Sequence, residues 1–381
     1  MKAWPVVSLS SVLRTHIDAV PSTQLGNVSL AGVYGFGRGL FKRGAISPSD
    51  TTYKSFHRLN TGDFVISSPK AWEGAVARVP EEFDGWFLSP VFPTFRSDRD
   101  KLDTRFLDWY CKREAVWRQL QAKAKGMGAR RESVSPDHFL SIEIPLPPMA
   151  EQQAIVARLD ALAEKTRELE AHLDAVERDA EHLLALRFRD VIADAPLRPM
   201  AEVAPAVRRP VEIDIATRYR EVGARSFGKG LFVKPDFDGA EATWQKPVWI
   251  RSGDLVLSNI KAWEGAIAVA ADEHDGCIAS HRYITCVPDP LLATAAFLAY
   301  YLLSEEGLEK VGLASPGTAD RNRTLSLGNL GKIEVPVPAF AAQQTFDHLQ
   351  AYVAALKARH AAIRQANAAL IPATLERVFA A

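Results

Sequence analysis

Residues 145–190 read PLPPMAEQQAIVARLDALAEKTRELEAHLDAVERDAEHLLALRFRD. Apolar or small residues recur at Ile155, Leu159, Leu162, Thr166, Leu169, Leu173, Val176, Ala180 and Leu183, in alternating steps of four and three. That is a heptad seam. Asp160, Glu164, Lys165, Arg167, Glu168 and Glu170 lie between the seam positions and form a solvated face of oppositely charged neighbours. Pro147 and Pro148 suit a helix start, and no Pro or Gly interrupts before Pro196. At about 1.5 Å per residue such a helix is roughly 50 Å long. It is too narrow to bury its seam alone and requires a partner helix.

The chain supplies one. From Gln343 onward a second seam runs through Phe346, Leu349, Val353, Leu356, His360, Ile363, Asn367, Leu370 and Thr374. Its approach, PVPAFAAQQ at 336–344, matches PLPPMAEQQ at 145–153 when 191 is added to each number. The same offset runs through the whole chain of 381 residues. Phe36-Gly37-Arg38-Gly39-Leu40-Phe41 matches Phe227-Gly228-Lys229-Gly230-Leu231-Phe232, and GDFVISSPKAWEGA at 62–75 matches GDLVLSNIKAWEGA at 253–266. Gly126, Arg130 and Ser135 match Gly317, Arg321 and Ser326, and Phe188 matches Phe379. A gapless repeat of this length marks a duplication.

Each copy reads as a globular block followed by a long helix: blocks at 1–148 and 191–338, helices at 149–190 and 339–381. Short apolar runs bounded by Gly, Pro, Asp and Ser alternate with helical stretches, chiefly Leu102–Leu120 and Leu291–Val311, so the class is α+β. The two helices are expected to pair as an antiparallel coiled coil with pseudo-two-fold symmetry.

Composition is ordinary for a globular chain, with 47% hydrophobic and 24% charged residues. No charged-then-apolar leader and no apolar run of membrane-spanning length occurs, so a cytoplasmic protein is expected. Cys111, Cys277 and Cys286 lack CxxC spacing, which argues for reduced thiols rather than disulfides or zinc. Net charge is zero, but residues 1–149 carry +5 and 150–190 carry −4. Any nucleic-acid contact must therefore be a local cluster.

Three clusters qualify. The glycine-rich stretch at 35–39 fits neither dinucleotide nor P-loop spacing. It reads as a turn between strands from which Arg38, Lys42 and Arg43, with Lys229 and Lys234 in the second copy, can place charge on a DNA backbone. The repeated Lys-Ala-Trp-Glu-Gly motif reads first as a packing Trp beside a Glu in a turn, with Lys70 and Lys261 as further contacts. Before each helix stands a glycine and arginine cluster: Lys123, Lys125, Gly126, Gly128, Arg130 and Arg131 in one copy, Gly317, Arg321, Asn322 and Arg323 in the other. Such a loop can approach a groove and offer guanidinium to guanine or phosphate. Catalytic motifs are absent: no Asn/Asp-Pro-Pro-Tyr, helicase loop, HExxH or GxSxG occurs. Pro235-Asp236 with Glu241 hints at a nuclease, but Thr243 stands where its Lys belongs.

A duplicated block followed each time by a helix opening PLPPMAEQQ or PVPAFAAQQ resembles the specificity subunit of type I restriction-modification systems, with Ala341-Ala342 departing from the usual Ala-Glu. The GDxVxS and KAWEGA pair is similar to that family's target recognition domains. The resemblance implies a non-enzymatic chain whose blocks each bind one half of a split double-stranded DNA target. Its helix pair would set the spacing and dock two methyltransferase subunits through Glu151, Gln152, Gln153, Glu164, Glu168, Gln343 and Gln344. A restriction/translocase subunit would join through the complex, and S-adenosylmethionine, ATP and magnesium would belong to the partners, with no metal here. A coiled-coil scaffold, or the DNA-reading part of a related single-site system, are the alternatives.

Overall fold

The structure is a computed structural model describing residues 4–47, 50–122, 133–242, 246–317 and 322–379. Lys123, Lys125, Gly126, Gly128, Arg130, Arg131 and Arg321 lie outside the described residues. Two compact units emerge, one of residues 1–173 with 360–381, the other of residues 174–359. They cut across the expected four segments, because each unit takes part of both long helices. The central helix is Met149–Ile192 and the C-terminal helix Phe340–Phe379.

In the first unit a five-stranded sheet is ordered Asp18–Pro21, Ser55–Arg58, Phe87–Leu88, Val28–Val33, Leu40–Ile46. A four-stranded sheet is ordered Leu13–Thr15, Thr94–Ser97, Phe64–Ile66, Val76–Arg78. The Gly62-Asp63 motif opens the Phe64–Ile66 strand, whose three residues are all buried. Asp63, only 3% exposed, is held by Arg96 through Oδ1 and Oδ2 at 2.9 and 3.0 Å. A buried carboxylate needs such a partner.

The second unit solves the same problem with a different cation. Leu255–Ser258 lies between Ile267–Val269 and Tyr283–Cys286. Asp254, the repeat of Asp63, is held by Arg209 at 2.7 and 3.0 Å. Arg96 is Val at the corresponding position 287, and Arg209 corresponds to Asp18. The carboxylate is common to both blocks and its counter-ion is not.

Where one helix was expected in each block, the structure has two. Leu102–Leu120 resolves into Thr104–Cys111 and Glu114–Ala122, and Leu291–Val311 into Ala295–Leu303 and Glu305–Leu313. Ser304 makes the second break, its side chain accepting from the Gly307 amide. The corner is so tight that a Cβ on Gly307 would lie 2.0 Å from the Tyr301 carbonyl oxygen.

In the first unit the helices pair antiparallel: Arg364 meets Glu170 at 3.0 Å, and Leu375 and Phe379 share a core with Val156 and Leu159. In the second, Lys357 meets Glu181 at 2.6 Å and Phe346 lies 5.4 Å from Phe188. The seam slips by one residue toward each helix end. Leu184 and Phe188 are buried while the expected Leu183 is exposed; in the C-terminal helix His360 and Asn367 are buried as expected, but Ile363 and Leu370 are exposed and Leu375 is buried beside the expected Thr374. An α-helix drifts about 20° per heptad from a 3.5 repeat, which moves burial to the next residue.

All three cysteines are free and buried, and burial pushes the Cys286 thiol up to about 12. Among the described residues no helix is long and apolar enough to cross a membrane.

Candidate nucleic-acid interface

The glycine-rich stretch is a hairpin turn in both copies, joining Val28–Val33 to Leu40–Ile46 and Val222–Ala224 to Leu231–Val233. Tyr34 N donates to Gly39 O at 2.9 Å, and Arg225 N to Gly230 O at 3.0 Å. The Lys-Ala-Trp-Glu-Gly motif is a short 3-10 turn closing on a left-handed glycine, Gly74 or Gly265. The two motifs meet. Phe36 N donates to Glu73 O at 2.7 Å and Gly37 N to Gly74 O at 2.9 Å; Phe227 N and Gly228 N make the same bonds to Glu264 and Gly265 at 2.8 and 2.9 Å. Stretches more than 35 residues apart thus form one surface feature in each block.

Cations are arranged around it. Arg38 is exposed, donates from Nε to Gly35 O at 3.1 Å and lies 4.8 Å from the Tyr34 ring centre. Lys229 is exposed, 5.8 Å from the Phe227 ring centre. Lys42 and Arg43 are exposed on Leu40–Ile46, an edge strand of its sheet. Lys70 and Lys261 each pair with the glutamate of their own motif at 2.6 Å and lie over Trp72 and Trp263 at 5.2 and 5.3 Å. Bonding to Lys261 and Ser226 holds the Glu264 carboxyl below the usual range. Each lysine–glutamate pair carries no net charge.

Arg323 joins the same neighbourhood, 4.8 Å over the Trp263 ring. Its guanidinium also donates to Gly312 O at 2.8 Å and Ser315 O at 3.3 Å, so part of its donor capacity closes the end of the Glu305–Leu313 helix. Asn322 beside it is exposed. Lys234 differs from the expectation: it pairs at 2.8 Å with Glu221, whose side chain is 9% exposed, and serves to neutralise that buried carboxylate.

The glutamines that open the helices also depart from a docking role. Gln152 is completely buried; its Nε2 donates to Lys101 O at 2.8 Å and Pro147 O at 2.9 Å, while its Oε1 accepts from Asp103 N at 2.9 Å. Gln343 repeats this with Leu292 O, Pro338 O and Thr294 N at 2.8, 2.9 and 3.1 Å. Both amides lock a helix start to its block and are inaccessible to a partner. Glu151, Gln153 and Gln344 are exposed beside them. Glu164 and Glu168 are exposed and bridged to Arg167 and Lys165 within the helix.

The blocks differ around this shared frame. In the second, Asn259 lines a cavity of about 330 Å³ with Arg208, His281 and Tyr283, and its buried Oδ1 has no hydrogen-bond partner. The first block has Ser68, Ile17, Pro90 and Phe92 at those positions. Among the described residues no group of His, Cys, Asp and Glu is placed to hold a metal ion.

Fold and surface define a class: two like α+β blocks, each presenting an exposed turn of aromatic and basic residues, each continued into a long paired helix. Residues 1–178 match the family described as "Type I restriction modification DNA specificity domain". The first half of the chain, residues 1–178, thus matches a DNA-specificity domain of type I restriction-modification systems, and the second half repeats it in sequence at the offset of 191. No curated protein matches the sequence. Among solved structures it is similar to the HsdS subunit from Thermoanaerobacter tengcongensis, at 21% identity and a TM-score of 0.64 over 100% of this chain and 97% of that one. It is also similar to a chain from work on complex assembly and conformational transition of the type I R-M system, at 22% identity and a TM-score of 0.69 over 100% and 98%. These likenesses establish a common fold.

Proposed function

We propose that the chain is the non-catalytic subunit that gives a cytoplasmic type I restriction-modification complex its DNA sequence. Each block reads one half of a split double-stranded target, and the helix pair spaces the two readings and docks two methyltransferase subunits. S-adenosylmethionine, ATP and magnesium sit on the partners, and a restriction/translocase subunit joins through them. The observation that carries this reading is the hairpin turn seated on the Lys-Ala-Trp-Glu-Gly turn, built with the same backbone bonds in both blocks amid otherwise different residues. A shared frame with altered surroundings suits related but non-identical half-sites.

The test is to map methylated positions in cells carrying this gene with its adjacent methyltransferase gene, then again after deleting this gene. Loss of methylation at one split motif is the expected outcome. Unchanged methylation overturns the proposal, and identical half-sites overturn the claim that the blocks read differently.

A further inference from the structure

The residue that leads each hairpin turn is a phenylalanine in a conformation phenylalanine avoids. Phe36 has φ +61° and Phe227 φ +63°, two of only three non-glycine residues with positive φ among the described residues. The left-handed region crowds a Cβ against its own backbone, and a bulky side chain there is an outlier that the surroundings must enforce. The enforcement is visible: the amides of Phe36 and Phe227 are tied to Glu73 O and Glu264 O, and those of Gly37 and Gly228 to Gly74 O and Gly265 O. Glycine would satisfy the same turn without strain. Glycines stand close by, at Gly37 and Gly39 in one copy and at Gly228 and Gly230 in the other, yet the chain keeps phenylalanine at both positions.

The strained rings are not repaid by burial. Phe36 is 61% exposed and Phe227 76% exposed. Phe36 touches Trp117 edge-on with ring centres 5.9 Å apart, whereas Leu308 holds the corresponding position in the second block. Beside each ring sits a cation, Arg38 at 5.9 Å and Lys229 at 5.8 Å from the ring centres. An exposed flat ring next to a cation complements a base beside a phosphate.

We propose that Phe36 and Phe227 are DNA-contacting wedges, each stacking its ring against a base of its own half-site while Arg38 or Lys229 takes an adjacent phosphate. The inference rests on the DNA-reading function and adds to it a pair of contact residues and a mode of contact. Partial unstacking by an apolar side chain favours flexible base steps, so each wedge would add sequence preference through deformability.

The full-length chain is used to select a consensus duplex from a randomised DNA pool. That duplex is then synthesised with 2-aminopurine at successive positions of each half, and binding is compared for wild type, Phe36→Gly, Phe227→Gly and Phe227→Trp. Glycine accepts the left-handed turn, so both glycine variants are expected to keep their thermal midpoints. Each is expected to lose about tenfold in affinity, the scale of one base–aromatic stack, while Phe227→Trp keeps it. Wild type is expected to brighten 2-aminopurine at one position in each half, and each glycine variant to abolish that signal in a single half. Unchanged affinity in both glycine variants overturns the proposal, as does lost affinity with no 2-aminopurine signal in wild type. A wild-type chain that selects no sequence removes the functional reading itself, and the wedge with it.

Discussion

Asn367 donates its side-chain Nδ2 to Glu170 Oε1 at 2.7 Å from a position 6% exposed, in the seam where the first unit's helices pair. The same Nδ2 reaches Thr166 O at 3.1 Å, while the buried Oδ1 finds no partner. A seam asparagine fixes register at a cost in stability. Asn367→Leu is expected to raise the first unit's unfolding free energy by about 1 kcal/mol and to loosen its helix register. Urea denaturation checks the first effect, and crosslinking of cysteines introduced along the two helices checks the second.

Gln152 and Gln343 each satisfy one backbone amide and two carbonyls. Leucine at either position strands all three, at a cost of about 3 kcal/mol. Hydrogen exchange is expected to show lost protection at Asp103 for Gln152→Leu and at Thr294 for Gln343→Leu. An exchange pattern identical to wild type would contradict the clamp.

Arg113 pairs with Glu376 at 2.8 Å, its own side chain 8% exposed against 53% for the glutamate. Bonding to Arg113 holds the Glu376 carboxyl below its ordinary range. A depressed carboxylate contributes stability above its unfolded pKa, about 4.3, and loses it as pH falls through the folded value. Glu376→Gln is therefore expected to cost the first unit about 1 kcal/mol at pH 7, with the two proteins converging as pH falls through the depressed folded value. Thermal melts across pH read the difference.

Phe379 packs against Trp4, Phe106 and Tyr110, and Phe188 against Phe297, Tyr300, Tyr301 and Phe346. Alanine at either position is expected to cost about 3–5 kcal/mol. Hydrogen exchange should show the loss confined to the first unit for Phe379→Ala and to the second for Phe188→Ala.

The duplication and both helices were legible because they are periodic: an offset of 191 and an apolar step near 3.5 need no tertiary information. The seam's slip from Leu183 to Leu184 was not, since it depends on how a straight helix drifts against its partner. Arg38 and Lys70 were found as separate motifs; their convergence rests on backbone bonds between distant turns that no local pattern encodes. Gln152 and Gln343 stood out for their place in a repeated motif, yet amide burial depends on loops that reach them from 51 residues away. Lys234 read as a free cation because Glu221 lies across a hairpin. The wedge phenylalanines lie within a glycine motif, but a positive φ at a non-glycine residue carries no sequence mark.

The second unit is one uninterrupted stretch, 174–359, while the first is assembled from residues before and after it. On a ribosome the sequence of the second unit is therefore fully available while the first still lacks Leu375 and Phe379, which belong to its core. The unit whose sequence appears first is completed last, and its apolar seam at Val156 and Leu159 must wait until Leu375 and Phe379 have been made.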